Sequence, residues 1–271
     1  MVRSELHDDV TRLVLSSRVS RAFGYDVSVF VTRGILIDTG FRGAAGELAA
    51  ILDAMRIQGV VLTHHHEDHA GNLSLVAERG LPVAVADDTL AAVRALPPLG
   101  AIRRAMWGTP APLRAAPRPF APDALRLIPT PGHASDHHVV WDAERETLFA
   151  GDLFLGVKVR MAHADEDPRT LARSLRAAAA LEPKRMFDAH RGLVTDAAAA
   201  LRSKADWLED TIGDIERRLD AGWSERATAR AVLGREPLAY YVSLGALSAV
   251  NLVRAVRRAG GAEPSHAPHR A

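Results

Sequence analysis

A chain of 271 residues, 48% of them hydrophobic, can build one large core or a domain with an appendage. Its formal charge of +1 argues against a dedicated nucleic-acid binder, and the absence of cysteine excludes disulfides and thiolate zinc sites. No apolar run reaches the roughly 18 residues a membrane helix needs, and the first residues lack the apolar core of an export signal, so a cytoplasmic location is expected.

Apolar alternation predicts strands over 11–15, 25–31 and 34–40, with Arg33-Gly34 turning between the last two. Residues 44–56 read as a helix with Leu48, Ile51, Leu52 and Met55 on one face. A strand over 59–62, a helix near 70–79, a strand over 82–86 and a helix over 87–96 follow. Seven prolines between 97 and 122 predict an irregular surface excursion whose length suits a substrate lid. Strands are expected at 125–129, 138–142, 147–152 and 184–190, with a helix over 168–181 opened by Asp167-Pro168. Helical periods return at 195–219, 224–233 and 243–258, and the last dozen residues are expected to fray. Apolar residues of the last helix (Leu244, Leu247, Val250, Leu252, Val253, Val256) could cover the core or a second subunit, so a homodimer is one expectation.

The run Thr63-His64-His65-His66-Glu67-Asp68-His69 follows the 59–62 strand and reads as His-x-His-x-Asp-His. It sets four metal-ligand side chains, His64, His66, Asp68 and His69, at a strand end. Imidazole with carboxylate suits zinc, iron or manganese. Three further candidates stand at strand-to-loop junctions after small residues: His133 in Thr-Pro-Gly-His, Asp152 in Ala-Gly-Asp, and His190 in Asp-Ala-His. The small residues are expected to let the backbone approach an ion. His65 and Glu67 alternate with the ligands and are expected to point away from them.

Taken in order, Asp38 in Ile-Asp-Thr-Gly, the 64–69 signature, His133, Asp152 and His190 resemble the motifs of the metallo-β-lactamase superfamily over residues 10–194. The resemblance implies an α/β fold, an αββα sandwich over 1–194, with a helical, winged-helix-like appendage over 195–271. It implies two divalent ions, zinc first, one held by His64, His66 and His133 and the other by Asp68, His69 and His190. Asp152 would bridge them, and Asp38 would order the His-rich loop from behind. Such a pair acidifies a shared water, which then attacks an ester, thioester or lactone carbonyl of a small molecule, with Asp68 also handling a proton. His66 stands where oxygen-reducing relatives carry glutamate, which argues against redox chemistry.

The 63–72 run is similar to glyoxalase II, whereas the Asp-Ala-His190-Arg-Gly context departs from it. The 130–141 and 148–156 segments with the helical tail are similar to the β-lactamase-like-protein-2 type. Phosphodiester or RNA cleavage, and a signalling effector acting through the tail, are the alternative functions. Lys158 and Arg160, just past Asp152, are candidates to meet an anionic substrate group, and Tyr241 to meet an oxyanion, with core packing the competing role for that tyrosine. Trp107 is a candidate for the substrate mouth. His163 is a candidate to reach the site, and His137 and His138 are expected to be structural.

Overall fold

Runs that look uniformly apolar in sequence separate by parity in three dimensions. Phe30, Ile35, Ile37, Val61, Val140, Phe149 and Phe187 point into one core, while their neighbours Val29, Val31, Leu36, Val60, Val139, Leu148 and Met186 point into two others. Strands buried on both faces carry apolar side chains at both parities, which is why strict alternation is absent. The computed structural model describes residues 1–96, 99–236, 240–241 and 243–260.

The first sheet has seven strands in chain order: β1 (Val2–His7), β2 (Val10–Leu15), β3 (Val27–Thr32), β4 (Ile35–Ile37), β5 (Gly59–Val61), β6 (Pro82–Ala84) and β7 (Arg118–Pro119). The first four are antiparallel and the rest join in parallel. The second sheet runs β12 (Gly192–Thr195), β11 (Arg185–Asp188), β10 (Thr147–Gly151), β9 (His138–Asp142), β8 (Arg126–Pro129). The faces meet through Phe30, Phe149 and Phe187, whose ring centroids lie 5.4–5.6 Å apart.

Outside the first sheet pack α2 (Ala45–Ala54), α3 (Leu73–Glu78) and α5 (Ala101–Trp107), through Leu48, Ile51, Leu73, Val76 and Trp107. Outside the second pack α6 (Pro168–Ala179), α7 (Ala197–Asp220), α8 (Glu225–Val232) and α9 (Ala249–Gly260), around Leu175, Leu201, Leu208 and Val253. These are the four layers of a mixed α/β sandwich with a C-terminal helical region. Leu252, Val253 and Val256 are buried in this chain's own core, so the last helix spends that face internally. No helix among the described residues is long and apolar enough to cross a membrane.

Several local expectations match their causes. Arg33 and Gly34, at φ +54° and +73°, make the two-residue turn that suits the strand twist between Thr32 and Ile35. Asp167 caps α6 by accepting from Arg169 and Thr170 backbone N–H groups at 3.0 and 3.1 Å. The proline-rich excursion is the main correction: α5 and β7 lie inside it. Its prolines crowd its two ends and none falls between Pro98 and Pro110, which leaves room for two turns of helix. Short α1 (Arg18–Ala22) and α4 (Asp87–Arg94) flank the first sheet's strands in the chain; α1 and the edge strands β1 and β12 go beyond the elements expected from the sequence.

Phe149→Ala is expected to cost the fold about 3–5 kcal/mol, because it empties the ring stack between the sheets. Chemical denaturation of the metal-free protein measures it.

Candidate metal centre

The seven candidate ligands all lie beyond C-terminal strand ends that share one edge of the sandwich. The 62–69 loop follows β5, Thr130 to His133 follows β8, Asp152 follows β10, and His190 follows β11. They gather into two groups, each with its ligand atoms within 4.8 Å of one another. One is His64, His66, His133 and Asp152, and the other is Asp68, His69 and His190.

In the first group His66 Nδ1 lies 3.0 Å from both His64 Nε2 and His133 Nε2. Asp152 joins the groups. Its Oδ2 lies 3.4 Å from His133 Nε2, and its Oδ1 lies 3.2 Å from His69 Nε2 and 3.3 Å from His190 Nε2. Asp68 Oδ2 stands 3.6 Å from His190 Nε2.

Outer partners fix which nitrogen each ring turns inward. Asp38, buried, accepts from Thr63 N at 2.8 Å and from Thr63 Oγ1 at 2.9 Å, and takes the Nδ1–H of His69 at 2.8 Å. Thr63 gives its proton to Asp38, so it accepts from His64 Nδ1 at 3.0 Å. The carbonyl of Asp26 can only accept, so His190 Nδ1 donates to it at 2.6 Å. His64, His69 and His190, when neutral, therefore present bare Nε2 lone pairs to the centre. Asp38 holds φ at +62°, a left-handed conformation that aspartate tolerates better than most residues.

Lone pairs this close repel unless a cation or protons lie among them. Ligands around a tetrahedral zinc at about 2.0–2.1 Å sit roughly 3.3 Å apart, near the spacings found here. His69 Nε2 and Asp152 Oδ1 are buried and have no hydrogen-bond partner among the described residues. The donor set and its two orphaned atoms fit divalent metal.

Burial first, then the neighbouring imidazoles, drives His64 and His66 well below the usual histidine range. Burial also pulls His69 and His190 down, but there Asp152 with its fellow carboxylates wins, holding His69 well above normal and His190 at about 9. His133 is raised too, because Glu166 and Asp152 outweigh its burial. The first group is thus mostly proton-free, and the second carries protons until metal displaces them.

His65 and Glu67 turn away as expected. Asp136 holds His65 through its N–H at 2.9 Å and its Nδ1 at 2.7 Å, and Glu67 makes a two-pronged pair with Arg103 of α5 at 2.5 Å. His137 is held neutral by burial, at about 3. Its Nδ1–H goes to Thr130 Oγ1 at 2.9 Å, leaving Nε2 to accept from Asp152 N at 3.1 Å. His138 bonds the Asp136 carbonyl at 2.9 Å. Gly151 serves this contact rather than an ion: a Cβ there would meet His137 Nε2 at 2.8 Å and Thr63 Oγ1 at 3.1 Å.

Beside the centre opens a cavity of about 720 Å³ that His66, Asp68, His133, Asp152 and His190 line. Met106 and Trp107 of α5 and Trp207 and Leu208 of α7 wall it, so the excursion and the C-terminal helices both shape it. His163 lines it too, its ring centroid 6.2 Å from that of His66. Lys158 and Arg160 line the cavity, are exposed, and make no ion pair with a described residue. Tyr241 corrects an expectation: it is 65% exposed, stacks edge-on against Tyr240, and is not among the described residues that line the cavity. Glu166, Asp136 and the Asp26 carbonyl went unforeseen. Their partners are remote in sequence, and a carbonyl leaves no mark on residue type.

A family model described as the metallo-beta-lactamase superfamily matches residues 25–190. The chain belongs to this superfamily. It is 27% identical to the beta-lactamase-like protein 2 homolog of Caenorhabditis elegans over 163 residues, 52% of each protein, so the match spans about half of that relative. It is 26% identical to a probable metallo-hydrolase, YqjP, of Bacillus subtilis over 78% of this chain and 81% of that one. A metallo-beta-lactamase family protein from Thermus thermophilus shares the fold at TM-score 0.67 and 18% identity, covering 94% and 95% of the two chains. Superfamily membership accords with a His/Asp cluster suited to metal.

Metal binding is expected to release protons, with the Asp68–His69–His190 group the more pH-sensitive. Its histidines have raised values, so affinity there rises as pH climbs toward about 9 and is lost first as pH falls. Calorimetry in buffers of different ionisation enthalpy reads the proton count.

Proposed function

We propose that the chain is a binuclear metal-dependent hydrolase, zinc being the favoured ion, that cleaves a small ester, thioester or lactone. The single observation supporting it is the split of the Asp152 carboxylate, one oxygen toward His133 and the other toward His69 and His190 at 3.2–3.4 Å. His64, His66 and His133 would hold one ion, Asp68, His69 and His190 the other, with Asp152 shared. Bound there, the ions would supply a water acidified from about 15.7 toward 7 and positive charge for a developing oxyanion.

The protein's own groups do the rest. Asp68, on the cavity wall, takes the proton from the attacking water at a carboxylate oxygen and returns it to the leaving group. Asp38, Thr63 and the Asp26 carbonyl keep ring nitrogens aimed inward. Met106, Trp107 and Trp207 exclude water from an acyl group. Lys158 and Arg160 bind an anionic group of the substrate at the rim. A cysteine-free chain fits the reducing cytoplasm.

Metal-verified protein is expected to turn over members of a panel of thioesters, esters and lactones and to leave bis-p-nitrophenyl phosphate intact. Activity on the phosphodiester alone would overturn the reading. His66→Ala should lose metal and activity together. Replacing Lys158 and Arg160 by alanine should raise KM for carboxylate-bearing esters about tenfold while kcat stays near wild type; a fall in kcat with KM unchanged would remove the two residues from substrate binding.

A further inference from the structure

The segment from Leu153 to Gly156 leaves β10 directly after Asp152 and runs along the cavity. It is strained and heavily pinned. Leu155 holds φ at +51°, a left-handed value rarely adopted by leucine, and Gly156 follows at +110°. Three charged groups from two other parts of the chain hold it. Asp188, at the end of β11 and fully buried, accepts the Leu155 N–H on Oδ2 at 2.7 Å. The same carboxylate accepts the His190 and Arg191 N–H groups on Oδ1 at 2.9 and 2.8 Å. Arg191 donates from Nε to the Leu155 carbonyl at 2.6 Å, and its guanidinium fills the space a Cβ on residue 156 would need. Lys204, buried in α7, donates from Nζ to the carbonyls of Leu153, at 2.9 Å, and Phe154.

One buried carboxylate thus ties the stretch after Asp152 to the stretch that carries His190. Asp152 Oδ1 and His190 Nε2, 3.3 Å apart, are the candidate metal-donor atoms on these two stretches. Unpinned, a left-handed leucine would relax, and the donors would drift apart. We propose that Asp188, Arg191 and Lys204 form a clamp on residues 153–156 that sets the spacing of Asp152 and His190, and so the affinity for the second ion. They are positioning residues, and this inference rests on the two-ion reading above.

Asp188→Asn isolates the link at nearly constant volume. The asparagine oxygen can still accept from His190 and Arg191, while its NH2 faces the Leu155 N–H, where no acceptor remains. Stepwise titration of the metal-free protein with zinc, followed by calorimetry, is the test. The expected result is a second step weakened about tenfold or more, with the first within about twofold of wild type. Arg191→Ala, at an exposed position, should shift the second step the same way by a smaller factor. A folded Asp188→Asn protein with both steps unchanged, or with both weakened equally, would overturn the clamp. Should that variant not fold, an unchanged second step in Arg191→Ala overturns it. A single step in the wild type would sink the two-ion reading and the clamp with it, whereas two wild-type steps untouched by the variants sink the clamp alone.

Discussion

Asp152 is the contact on which the remainder of the centre depends. This buried carboxylate sets one oxygen beside His133 and the other among His69 and His190, whose inward nitrogens carry no proton when neutral. Such an arrangement is costly in a low-dielectric interior unless positive charge sits within it. In the metal-free protein the carboxylates draw that charge from protons on His69 and His190. A divalent ion supplies more charge at the same place, which is the sense in which the sandwich is built around metal.

The fold delivers these groups by ending strands at one edge. β5, β8, β10 and β11 come from two sheets, so the sandwich's own inter-sheet packing fixes how far apart the loops stand. Each loop is then locked by a partner from elsewhere: Asp38 from the end of β4, Asp26 before β3, Glu166 before α6, and Lys204 from α7. The C-terminal helices cover the second sheet and, through Lys204, Trp207 and Leu208, reach the cavity as well. They therefore shape the cavity as well as the core.

Much of this was legible in the sequence because its causes are local. The His-x-His-x-Asp-His run announces its candidate ligands through residue type and spacing alone, and Arg33-Gly34 and Asp167-Pro168 announce a turn and a helix start through their own backbone chemistry. What was not legible arises between distant segments. Asp136 behind His65, Glu166 behind His133 and Asp188 beneath Leu155 look like ordinary acids until the fold brings their partners to them. Proline density hid α5 because the count over 97–122 masks where the prolines fall. Tyr241 was named from its chemistry, and chemistry does not say which way a side chain faces.

Anomalous diffraction from crystals of the zinc-loaded protein bears most directly on the centre. The account predicts two zinc peaks per chain, one among His64, His66 and His133 and one among Asp68, His69 and His190, with Asp152 touching both. A single peak, or a second peak away from Asp68, His69 and His190, would contradict it.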